Sequence, residues 1–96
     1  MKTIHKFQFL VSDFLGIAMP EGSEILHVDF QRSSPCMWAL VDTEKPMTAR
    51  TFRVFGTGRE IPKEMFGCDF KMNPKMKYLA TFQQAPFVWH LFEVFE

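Results

Sequence analysis

The sequence predicts an all-β fold, a small antiparallel sandwich or partly open barrel of about seven strands with one long irregular loop. Three observations lead there. Apolar and polar residues alternate with a period of two along most segments, the pattern of a strand with one buried face. Gly, Pro, Asp and Ser clusters punctuate the chain at roughly 8–12-residue intervals, the rhythm of sandwiches and barrels. No segment shows a convincing long helix. Ninety-six residues make a single β domain, residues 1–96, because half of such a chain would have no core of its own.

The elements follow in order. Residues 3–11 alternate, with Phe7, Phe9 and Val11 on one face and Lys6 and Gln8 on the other. Ser12-Asp13 supplies a turn, Leu15 to Met19 a short return strand, and Pro20-Glu21-Gly22 its end. In residues 23–31, Leu26, Val28 and Phe30 fall opposite His27, Asp29 and Gln31. After a polar Arg32–Pro35 loop, Cys36 to Val41 is apolar on both faces, as in a central strand covered on both sides. A polar loop from Asp42 to Thr48 leads to Arg50–Phe55, with Phe52 and Val54 on one face, ended by Gly56-Thr57-Gly58. Ile61 to Lys75 is the irregular loop, with a helical turn around Lys63 to Phe66. Tyr78, Ala80 and Phe82 share a face of the next strand. Ala85-Pro86 then turns the chain into Phe87–Phe95, the most apolar strand.

Composition narrows the function classes. Eleven basic and eleven acidic residues cancel, which speaks against generic nucleic-acid binding, where Lys and Arg on phosphates supply the affinity. No apolar run approaches the roughly 20 residues that span a bilayer, and the first residues lack the core of a signal peptide. A cytoplasmic location with no membrane partner is the expectation. Twelve Phe, two Trp and seven Met exceed what so short a chain hides, so some should cover a partner surface.

Candidate chemistry is sparse. His5, His27 and His90 form no close pair, and Cys36 and Cys68 make no Cys-x-x-Cys, so no metal site and no cofactor are expected. Cys36 reads as a core residue; Cys68, in the irregular loop, is the more exposed thiol, and a small enzyme using it or a histidine is a third reading. Asp29, Asp42, Asp69 and Glu93 are scattered and read as solvated. Gly56-Thr57-Gly58-Arg59 is the most suggestive motif. Arg53, Thr57, Gly58 and Arg59 together would grip a nucleotide phosphate through backbone amides and guanidinium groups, although Gly-x-Gly after a strand is commonly a plain turn.

Several segments resemble a family of short uncharacterised proteins found chiefly in bacteriophage genomes. They are Thr3-Ile4-His5-Lys6-Phe7, Met19-Pro20-Glu21-Gly22, Ile25-Leu26-His27-Val28 and Trp38-Ala39-Leu40-Val41-Asp42. Arg53-Val54-Phe55-Gly56-Thr57-Gly58, Tyr78-Leu79-Ala80-Thr81-Phe82-Gln83 and Trp89-His90-Leu91-Phe92-Glu93 continue the likeness. Pro62 to Lys77 matches least and looks like an insertion. The resemblance implies a phage-encoded protein acting inside a bacterium and brings no activity or site residues with it.

The expectation is therefore a non-enzymatic phage accessory protein that binds and inhibits a host or defence-system protein. Met65, Phe66, Phe70 and Met72 are its first-choice contact residues, because Met and Phe are adaptable interface anchors; a lid folded over the core is the plain alternative. The last strand, apolar on both faces, is either a plain central core strand or one completed by a second copy paired along its edge, which makes a homo-oligomer plausible.

Overall fold

The computed structural model describes residues 1–65 and 75–95. Seven strands form two antiparallel sheets: β1 (Lys2–Gln8), β2 (Leu15–Pro20), β3 (Glu24–Gln31), β4 (Ser34–Asp42), β5 (Met47–Gly56), β6 (Met76–Gln84) and β7 (Phe87–Val94). A three-stranded sheet runs β1-β4-β3 and a four-stranded sheet β2-β5-β7-β6. The barrel is not closed. A single 3₁₀ turn spans Lys63–Met65, where the sequence predicts a helical turn.

The core sits where the inner faces meet. Met19, Val28, Met37, Phe52, Phe82 and Leu91 are all buried in one cluster, drawn from both sheets. Val28, Phe52 and Phe82 come from segments whose alternation is visible in sequence, and truncating Phe52 would cost about 3–5 kcal/mol through lost burial and the cavity left behind.

Three expectations need correction. The segment from Leu15 does not return on β1; β2 crosses to the other sheet and pairs with β5, Leu15 opposite Phe52. Arg32–Pro35 is not a full loop, because Arg32-Ser33 turn the chain alone and Gln31 already faces Ser34. The strand β4 is central as expected, but no layer among the described residues covers its second face: Leu40 is exposed and Trp38 half-buried. The closing strand β7 lies between β5 and β6, which agrees with its reading as a central strand and leaves the alternative, a second copy paired along it, no edge to use. Its inner face packs into the core through Leu91, and on its outer face the Phe92 ring packs edge-on to Phe55 and Tyr78.

Two β-bulges overturn the face assignments of Leu26 and Tyr78. The register of β3 on β4 shifts between Ile25 and His27, and that of β6 on β7 between Tyr78 and Ala80. Each extra residue reverses the alternation on one side of it. Ile25 therefore packs inward while Leu26 is exposed, and Leu79 packs inward while Tyr78 is exposed. The two bulges face each other where β3 approaches β6, around a shallow cavity of about 260 Å³ lined by Leu26, His27, Leu79 and Thr81 among others. Bulged edges resist further strand pairing.

Candidate functional site

A concavity lies at one end of the sandwich, where the β1–β2 connection meets the turn after β5. Its volume is about 310 Å³, and Val11, Asp13, Arg53, Arg59, Glu60 and Trp89 contribute to its lining. β1 ends at Gln8, earlier than the alternation to Val11 predicts, so residues 9–14 become a crossover loop. Phe9 anchors it in the core, with its ring edge-on to Phe82 at 5.9 Å. Leu10 and Phe14 are left outside, 78% and 62% exposed.

Arg53 is the best-fixed charged group here. Its guanidinium carbon lies 4.1 Å from the centre of the Phe14 ring and 5.0 Å from that of Phe55. Its Nη1 reaches the Met65 sulfur at 3.6 Å, and its buried Nε has no hydrogen-bond partner among the described residues. Aromatic faces attract the cation and restrict its rotamers, so the side chain is preorganised.

The turn Gly56–Arg59 forms the other wall. The Arg59 N–H donates to the Gly56 carbonyl at 3.0 Å, and Gly58 carries a φ of +86°, which an L side chain rarely adopts. The Thr57 N–H donates to the Val88 carbonyl at 3.0 Å. Two of the backbone donors that a phosphate cradle would use are thus committed inside the fold. The Thr57 hydroxyl turns away as well, lying 2.6 Å from His90 Nε2. Of Arg53, Thr57, Gly58 and Arg59, only the two arginines line the cleft. Asp13 and Glu60 line it too, so two positive and two negative groups balance there.

Residues 1–96 match the family described as a domain of unknown function (DUF7352). The chain belongs to that family. No curated protein and no solved structure matches it.

In this DUF7352 domain the contact residues expected from sequence fare unevenly. Met65 is only 4% exposed, folded beneath the Arg53 side chain rather than offered to a partner. Phe66, Phe70 and Met72 lie outside the described residues, as does Cys68. Leu10 and Phe14 are not among the expected contacts, yet the sequence carries a signal for them: the apolar run Phe9–Val11 continues straight into the Ser12-Asp13 turn, leaving apolar residues where a turn belongs.

A hydroxyl–imidazole chain crosses the outer face of the four-stranded sheet. Beyond Thr57, His90 Nδ1 lies 2.9 Å from Thr81 Oγ1, which lies 2.6 Å from the Tyr78 hydroxyl. Thr57 and His90 have the spacing of a nucleophile and its base. The second imidazole nitrogen meets a neutral hydroxyl, however, where an acyl-transfer triad places a carboxylate that stabilises the imidazolium. None of the four residues lines the cleft. The chain reads as a cross-strand polar ladder joining β6, β7 and the turn after β5.

Glu93, read from sequence as solvated, is buried at 3% exposure against Arg50. Cys36 is buried as expected, its thiol 3.5 Å from the Ser34 carbonyl. Among the described residues no group of three or more His, Cys, Asp or Glu is placed to hold a metal ion. Nor is any helix among them long and apolar enough to cross a membrane.

Proposed function

We propose that this domain is a non-enzymatic bacteriophage accessory protein that docks on a host or defence-system protein in the bacterial cytoplasm and inhibits it. The observation that carries the reading is the Leu10–Phe14 loop beside the Arg53–Arg59 cleft. Exposed Leu10 and Phe14 flank a cavity large enough for one or two side chains, and Arg53 stands ready between aromatic rings. Buried aromatics and Arg around a pocket are the usual anchors of a protein interface. The balanced charge of the lining suits a polypeptide, which brings both donors and acceptors. The phage origin rests on the sequence resemblance alone.

Affinity capture from bacterial lysate, followed by binding of the purified captured protein, tests this. Phe14→Ala and Leu10→Asp should each weaken binding at least about tenfold, the effect of losing one interface anchor. Equal binding by wild type and both variants would remove the loop from the contact.

A second reading, a nucleotide-binding sponge, is favoured by the convergence of Arg53 and Arg59 on one cleft. A phosphate would meet a wall of no net charge and only part of the amide cradle, which is why it ranks second. Thermal shift with nucleotides separates the two. A rise of several degrees with one nucleotide, abolished by Arg59→Ala, would put the sponge first.

A further inference from the structure

Among the described residues no layer covers the outer face of the three-stranded sheet, and most of its charges are sorted by strand. Ile4 on β1 stands opposite Leu40 on β4, with Trp38 two residues further along, giving an apolar centre. Ile4 is 56% and Leu40 40% exposed. On the same face β1 presents Lys2 and Lys6, while β3 presents Glu24 opposite Leu40 and Asp29 opposite Cys36. β1 thus contributes two lysines and β3 two carboxylates, with His27 3.8 Å from Asp29; β4 between them adds Asp42 opposite Lys2, its carboxylate 3.6 Å from the Met1 ammonium.

We infer that this face binds a second copy of the chain, related by a twofold axis running along β4 in the plane of contact. That axis lays β1 of each copy over β3 of the other, so Lys2 meets Glu24 and Lys6 meets Asp29 of the second copy, twice over. The other in-plane axis, across the strands, lays β1 on β1 and β3 on β3, and like charges oppose each other. Charge therefore selects one orientation. In both pairs the lysine stands two residues further along the sheet than its carboxylate, about 7 Å, a step the four-carbon lysine stem spans. Lys6 already leans across β4 at its Ser34–Cys36 end, its Nζ donating to Gln31 Oε1 at 2.6 Å. Each outward residue of β4 then meets its own counterpart at the axis, Trp38 on Trp38 and, at one end, Asp42 on Asp42, where the Met1 ammonium 3.6 Å from each carboxylate offsets the like charge. A net charge of zero adds no general repulsion to oppose association.

The face is small. Three strands of about seven residues make a footprint of roughly 15 × 24 Å, below the roughly 800 Å² per partner of a standard interface. The dimer is accordingly a weak one, with a dissociation constant on the order of micromolar. This surface is separate from the Leu10–Phe14 loop and stands whether or not that loop binds a partner.

Sedimentation velocity of the full chain over about 5–200 µM, spanning the expected constant, tests the inference. Wild type should pass from monomer to dimer across the series. Lys6→Glu and Asp29→Lys should each remain monomeric, since each brings like charges together twice. An equimolar mixture of the two variants should dimerise again. The carboxylate introduced in one variant would then face the ammonium introduced in the other, and the unaltered Lys6 and Asp29 would face each other. Circular dichroism matching wild type confirms that each variant is folded; both positions are at the surface. A wild type monomeric throughout, a dimer that survives both reversals, or a mixture that stays monomeric would each overturn it.

Discussion

Arg50 and Glu93 form a bidentate ion pair on the inner side of the four-stranded sheet, Nε to Oε2 and Nη2 to Oε1, both at 2.6 Å. The remaining Nη1 of Arg50 donates to the Ser23 carbonyl, which ties β5 and β7 to the turn between β2 and β3. The side chains are 18% and 4% exposed, so neither partner is well solvated alone. Removing one leaves an uncompensated buried charge, which costs about 3–5 kcal/mol. Glu93→Ala should lower the melting temperature by roughly 12 °C or more, given about 4–8 °C per kcal/mol in a domain of this size. The double variant Arg50→Met/Glu93→Leu should recover most of that loss, because apolar packing substitutes for a buried pair. Thermal melts of the single and double variants check both, and a double variant no better than the single would contradict the account.

Arg32 occupies the left-handed region with a φ of +59°, at the first position of the two-residue Arg32-Ser33 turn. That conformation costs a residue with a Cβ about 1–2 kcal/mol, and glycine gives part of it back as lost chain entropy. Arg32→Gly should therefore stabilise the domain by about 0.5–1 kcal/mol and raise the urea midpoint. An unchanged or lowered midpoint would show that the arginine side chain contributes more than the backbone loses.

Gly58 gives the opposite case. A Cβ there meets nothing within 4 Å, so space is not the issue; the φ of +86° is. Gly58→Ala should destabilise by about 1–2 kcal/mol through backbone strain alone. Because the same turn forms one wall of the cleft, the variant should also weaken binding by the Leu10–Phe14 surface more than a distant variant of equal stability does. Binding and melting measured side by side separate these two effects.

The fold is largely legible in the sequence because one buried face per strand imposes period two on β1, β3, β5 and β6, while apolar runs bounded by turn residues mark β2, β4 and β7. Leu26 and Tyr78 fall on the wrong face for a definite reason. A bulge adds one residue without changing local composition, so alternation counted from Val28 or Phe82 runs out of phase beyond it. Strand partners are not legible either: nothing local in Leu15–Pro20 says that it joins Met47–Gly56 rather than β1. Glu93 looks solvated in sequence because its partner Arg50 is 43 residues away. The two arginines of the cleft are visible from their clustering on one strand and turn. Asp13, Glu60 and Trp89 are not, since only the folded chain brings three distant segments to one cavity.

Asp42 supplies a pH dependence that can be isolated. Its Oδ1 accepts the Glu44 N–H at 3.1 Å and lies 3.6 Å from the ammonium of Met1. The Glu44 amide first, and the ammonium after it, hold the carboxyl below its ordinary value of 3.8, against a smaller upward push from desolvation. A carboxyl whose folded value is depressed contributes stability in full above its unfolded value and loses it as pH falls through the folded one. Wild type should thus be more stable than Asp42→Asn at about pH 6, with the difference shrinking as pH falls below the ordinary value of 3.8 and lost once the folded carboxyl is protonated. Urea midpoints of both proteins across that range provide the check. A difference that persists unchanged at the lowest pH would mean that Asn loses something other than the ionised carboxylate.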